Sequence, residues 1–174
     1  MKKSIICLAA GVGLLSGVPA FAQAANTDSD TANGSVTIIR PLTITKDTDL
    51  VFGRVVQPRT GTGTVAIANT SNTVTAAAGA VALAGITTSR AVFTVDGEGG
   101  QVVTVTIPST FNLTKGSDSI TVNLDPDVGS TVTLSNALAA AGSAAINVGG
   151  GFNLPSTQAS GAYTGTFDVT VAYQ

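Results

Sequence analysis

The sequence predicts an all-β fold, a Greek-key β-sandwich of two packed sheets built from roughly eight to ten short strands. Three observations carry this prediction. Beyond its first segment the chain is crowded with Val, Thr, Gly, Ala and Ser and poor in Glu, Lys, Leu and Met. β-Branched residues suit a half-buried pleated surface and lose rotamer freedom in a helix. Several short segments alternate apolar and polar residues with a period of two, and Gly, Asn, Asp or Pro interrupts them about every 8–12 residues. No long fixed repeat is visible.

The first segment reads as a secretory leader. Lys2 and Lys3 precede an apolar run from Ile5 to Val18, Pro19 breaks it, and Ala20-Phe21-Ala22 supplies the small-x-small pattern that a signal peptidase requires. Cleavage is expected after Ala22, with Ala24 as the alternative. The run falls short of the about 20 apolar residues that a spanning helix needs. Cys7 leaves with the leader, so residues 23–174 carry no cysteine and the fold must stand on packing and hydrogen bonds. Residues 23–34 are small and polar and are expected to be a flexible segment ahead of a single domain at 35–174.

The strands are expected in this order. Val36-Thr37-Ile38-Ile39 leads to Pro41, and Leu42-Thr43-Ile44 resumes the alternation after it. Leu50-Val51-Phe52-Gly53 and Gly63-Thr64-Val65-Ala66-Ile67 follow, with a turn at residues 69–72. Val74-Thr75-Ala76 and Val81-Ala82-Leu83 flank Gly79. The segments 90–95 and 101–107 face each other across Asp96-Gly97-Glu98-Gly99-Gly100, the pattern of a hairpin. Ser119 to Leu124 alternates, Asp125-Pro126-Asp127 turns the chain, and Thr131 to Leu134 continues. Residues 135–142 fit either a helical turn or an alanine-rich loop. Residues 145–148 and 151–154 flank Gly149-Gly150, where a bulge or tight strand crossing is expected. The last strand has the clearest pattern. Tyr163, Phe167, Val169, Val171 and Tyr173 share one parity, and Thr164, Thr166, Asp168, Thr170 and Ala172 the other.

Chemistry is excluded by what the chain lacks. It has no histidine, and without Cys7 it has no thiol. The usual general base, zinc ligands and sulfur nucleophile are therefore missing, and an enzyme is not expected. No catalytic, cofactor-binding or metal-binding residue is nominated. The acidic pairs Asp96/Glu98 and Asp125/Asp127 hold too few carboxylates for calcium and read as turns. Without Lys2 and Lys3, six basic residues stand against ten acidic ones, which disfavours a nucleic-acid partner. An outer-membrane barrel is disfavoured by the absence of tryptophan and the terminal Gln174.

Three stretches carry a resemblance. Pro41-Leu42-Thr43-Ile44-Thr45 followed by Leu50-Val51-Phe52-Gly53, then Val148-Gly149-Gly150, then residues 161–173 together resemble the DUF4402 family of secreted proteobacterial domains of unassigned function. The ending is also similar to the last strand of chaperone–usher pilins, with Gly161 fourteen residues from the carboxyl end and Tyr173 penultimate. That second resemblance implies an immunoglobulin-like sandwich with an open edge. A periplasmic chaperone and then a neighbouring subunit would fill it by β-strand addition. It also implies that Gly161, Tyr163, Phe167, Val169, Val171 and Tyr173 take part in subunit contact. The resulting expectation is an exported protein of the periplasm, cell surface or exterior, acting as a fibre subunit or fibre-associated adhesive domain. The alternative is a free-standing β-sandwich that binds carbohydrate or protein.

Overall fold

The computed structural model describes residues 27–174, so the expected leader and its cleavage point lie outside the described residues. Residues 27–36 are exposed and form no strand, and the folded unit comprises Thr37–Gln174. It is all-β, and among the described residues no helix is long and apolar enough to cross a membrane. Twelve strands form: β1 (Thr43–Thr48), β2 (Val55–Val56), β3 (Thr62–Ile67), β4 (Val74–Ala77), β5 (Val81–Ala82), β6 (Ala91–Glu98), β7 (Val102–Thr106), β8 (Thr110–Lys115), β9 (Asp118–Pro126), β10 (Thr131–Thr133), β11 (Ala141–Pro155) and β12 (Thr170–Tyr173).

Every pairing is antiparallel. One sheet has seven strands, ordered β1-β6-β11-β3-β4, with β9 joined to β11 and β8 to β9. The second sheet is β10-β7-β12, and β2 and β5 form a small ribbon. The sandwich has two apolar layers. Ala91, Phe93, Val95, Ile146 and Val148 of the large sheet meet Val103, Val105 and the half-buried Val171 of the small one. Farther along, Val65, Ile67, Ile120, Val122, Phe152 and Leu154 pack under Phe52 and Ala80.

The strand β11 traverses both layers. Its residues 141–148 pair with β6, and 150–155 pair with β3. Val148 also pairs with Pro126 of β9, and Gly150–Phe152 also pair with β9. A residue with two strand partners has one on each edge, so β9 lies on the edge opposite β6 and β3. The expected break at Gly149-Gly150 is thus one continuous strand changing neighbours. Side chains would obstruct that change. A Cβ on Gly149 would meet the carbonyl of Ile67 and the amide of Asn69, both backbone atoms that cannot move aside.

Several expectations require correction. Val36 to Ile39 forms no strand, because among the described residues no strand lies alongside to share hydrogen bonds, and Ile38 is 86% exposed. Leu50 to Gly53 contributes a single bridge, Val51 to Ser89, while Phe52 is buried. The hairpin across residues 96–100 does not exist. β6 continues through Asp96-Gly97-Glu98, and the chain then crosses to the other sheet as β7. Residues 135–140 form a loop, with Asn136 and Ala139 at positive φ. The strand β8, a hairpin partner of β9, was not expected from the sequence.

Replacing Gly149 by Val should cost at least about 3 kcal/mol, since neither backbone neighbour can yield. Gly129→Ala, which meets open space, should stay within about 0.5 kcal/mol. Urea denaturation of the two variants checks both values.

Candidate functional site

The six residues expected at a subunit contact all lie on the last segment, and their alternation holds. Tyr163, Phe167, Val169, Val171 and Tyr173 are half-buried, and every residue between Thr164 and Gln174 of the opposite parity is exposed. Regular pairing is shorter than expected. Only Thr170–Tyr173 form a strand, and Thr164 adds one bridge to Thr114 of β8. The segment therefore starts beside the large sheet and ends in the small one. Phe167 sits at the crossing, with ring centroids 6.1 Å from Phe93 and 5.1 Å from Phe111. It joins the two apolar layers through edge and tilted aromatic contacts, each worth about 0.5–1.5 kcal/mol beyond area burial.

The six residues are not gathered in one place. Val169, Val171 and Tyr173 belong to the layer between the sheets, whereas Gly161 and Tyr163 line a groove of about 700 Å³ at the other end. Phe52, Ile120, Phe152 and Leu154 line this groove together with Val51, Val55, Val56 and residues 158–165. Phe52 and Phe152 meet edge-on at 5.0 Å. Among the described residues no charged side chain lines the groove. Tyr163 is fixed by donating its hydroxyl to the Ala159 carbonyl at 2.7 Å and accepting from Gln158 at 2.8 Å. Lys115 donates to the Ser160 carbonyl and lies 5.5 Å from the centre of the Tyr163 ring. Farther along, β12 pairs only with β7, so its outer edge has no strand partner among the described residues.

A polar clamp at the opposite end of the sandwich went unread in the sequence. Glu98 is 2% exposed. Strict alternation along β6 would turn it outward, but the loop at residues 135–140 folds over it. One carboxylate oxygen, Oε2, accepts from the Arg40 amide at 3.2 Å and from Arg40 Nη1 at 3.0 Å. The other accepts from the Ala139 amide. Tyr173 completes the arrangement, accepting from the Glu98 amide at 2.7 Å and donating to the Arg40 carbonyl at 3.0 Å. Burial by itself would raise the Glu98 pKa, but the two backbone amides and the Arg40 guanidinium outweigh it and hold the carboxyl below its ordinary 4.5. The available signal was a lone Glu in a chain with few charges, flanked by Gly97 and Gly99.

The remaining members of the two acidic pairs take part in strand pairing or in a local hydrogen bond. Asp96 is a strand residue opposite Thr43 and Ser143, and Asp125 lies opposite Gly149. Asp127 accepts from the amide and the side chain of Asn147. Among the described residues no three His, Cys, Asp or Glu side chains group as a metal site would require.

The fold and groove define a β-sandwich module with an open strand edge and an uncharged apolar cleft. A family model described as a domain of unknown function, DUF4402, matches residues 42–173, and the chain belongs to that family. No curated protein and no solved structure matches it.

The Glu98 carboxyl has a lower pKa in the folded chain than in the unfolded one. Its contribution to stability is therefore complete above the unfolded value and is lost as pH falls through the folded value. Glu98→Gln should be less stable than the parent at neutral pH and should show a flatter loss of stability below pH 4.5. Thermal unfolding followed across an acid pH series checks both parts.

Proposed function

We propose that the chain is a non-enzymatic, exported, pilin-like surface protein, a fibre subunit or fibre-associated adhesive domain that assembles by β-strand addition. The observation that carries this reading is the pairing of two unfilled features along one segment. The segment starting at Gly161 borders an apolar groove, and its final strand β12 presents an edge with no strand partner among the described residues. An exposed strand edge is a template for another strand, and natural proteins usually blunt such edges with charge or cover. The outward parity here is Thr166, Asp168, Thr170 and Ala172, with one charge among them. The leader-like opening supports export, and the absence of histidine supports a role without catalysis. A periplasmic chaperone fits the same edge before assembly.

A second reading is a free-standing envelope sandwich that binds carbohydrate. It rests on a shallow dish of about 570 Å³ on the large sheet, where Thr64, Thr75, Asn123, Asp125 and Asn153 present hydroxyl, amide and carboxylate groups. Glycan-array binding by the purified chain tests it.

Residues 23–174, purified without a partner, should associate in a concentration-dependent way and form elongated particles. Sedimentation velocity and negative-stain microscopy read the two properties. A chain that stays monomeric at every accessible concentration, in the absence of chaperone, would overturn the fibre reading.

A further inference from the structure

We infer that the outer face of the β2–β5 ribbon docks on an anionic lipid surface. The inference is independent of strand addition, since none of Arg54, Arg59, Val81 and Leu83 lines the groove.

Parity points to the ribbon. Val55 pairs with Ala82 and Val56 with Val81, and the Leu83 amide donates to the Arg54 carbonyl at 3.0 Å. Side chains alternate along each strand. Val55 packs against the apolar layer that holds Phe52, and its partner Ala82 is half-buried. Arg54, Val56, Val81 and Leu83 share the opposite face, where Val56 is 47% exposed, Val81 53% and Leu83 44%. Ile86 extends the patch, because a Cβ on Gly53 would lie 3.2 Å from its Cγ2. A strand that is apolar on both faces belongs between two layers. Among the described residues this ribbon has only one.

Charge decides what covers it. Residues 50–95 contain Arg54, Arg59 and Arg90 and no Asp or Glu, although acidic residues outnumber basic ones in the whole chain. Arg54 and Arg59 are exposed, and among the described residues neither makes a salt bridge, whereas Arg40, Lys46 and Lys115 each do. The cover is therefore anionic and apolar at once. A bilayer with anionic headgroups has both properties. Its acyl boundary receives Val56, Val81 and Leu83, while the guanidinium groups stay at the level of the phosphates on their long stems. Area argues in the same direction. A stable protein interface covers about 800 Å² on each partner, roughly 20–30 residues, and this patch offers four apolar side chains and two arginines. Lipid docking asks for less, because a few side chains entering the headgroup boundary give weak, reversible binding. The same surface repels the acidic remainder of the chain, which orients the molecule ribbon first.

The test uses residues 23–174 in three forms: the parent, Val81→Ser/Leu83→Ser, and Arg54→Gln/Arg59→Gln. Co-sedimentation is measured with vesicles of equal parts phosphatidylglycerol and phosphatidylcholine, and with phosphatidylcholine alone. All four positions are exposed, so the variants should unfold at the parent's midpoint. The parent should bind the mixed vesicles and not the uncharged ones, and each variant should need about tenfold more lipid, or more, for half-binding. The chain has no tryptophan, so Leu83→Trp supplies a single reporter whose emission should shift to the blue on mixed vesicles. Equal binding to both vesicle types, equal binding by the variants, or a parent that binds neither overturns the inference. So does a ribbon variant that loses self-association without lipid, since the face is then an interface between copies. The fibre reading survives each of these results, because the edge of β12 is untouched.

Discussion

The architecture depends on a backbone passing where no side chain fits. β11 must be hydrogen-bonded on one edge by β6 and then β3, and on the other by β9, within a few residues. The three glycines at 149–151 permit this, because strands on both sides approach closely. With that passage in place, Ile146 and Val148 enter one apolar layer and Phe152 and Leu154 the other. One strand thus ties together two cores that are otherwise linked through Leu50 and Phe167. The disposition of the groove and the clamp at opposite ends follows from the same strand.

The clamp shows how a charge is tolerated in an apolar interior. Glu98 is surrounded by donors, and its burial is offset because each carboxylate oxygen accepts at least one backbone amide. Tyr173 takes part through its hydroxyl while its ring packs in the apolar layer. The amphipathic side chain suits both halves of the site. The penultimate tyrosine therefore has a structural reason to be there that does not depend on any partner. It fastens the carboxyl end to the chain entering β1.

Much of the fold was legible because side-chain alternation is a local property. β3, the first part of β6, β7 and the parity of residues 163–173 all follow from counting by twos. What alternation does not encode is the identity of the neighbour. Residues 90–95 and 101–107 looked like a hairpin, yet Gly99 donates to Ala140 and Gly100 to Leu134, and the chain leaves one sheet for the other. β8 was overlooked because Phe111 and Leu113 are its only large apolar residues, and its hold comes mainly from pairing with β9. Val36 to Ile39 has the composition of a strand but no partner beside it among the described residues. Of the site, the half-buried face of the last segment was readable. Glu98 was not, since its burial depends on a loop whose Ala139 lies 41 residues away in sequence.

The length of β11 has a mechanical consequence. A pull applied along the sandwich, from the clamp at one end to the groove at the other, runs parallel to this strand. The load is then shared as shear across the rungs to β6, β9 and β3, which must fail together. Tension applied across the sheet would open them one at a time. A module loaded lengthwise in this manner resists extension through its backbone ladder, without needing a covalent cross-link.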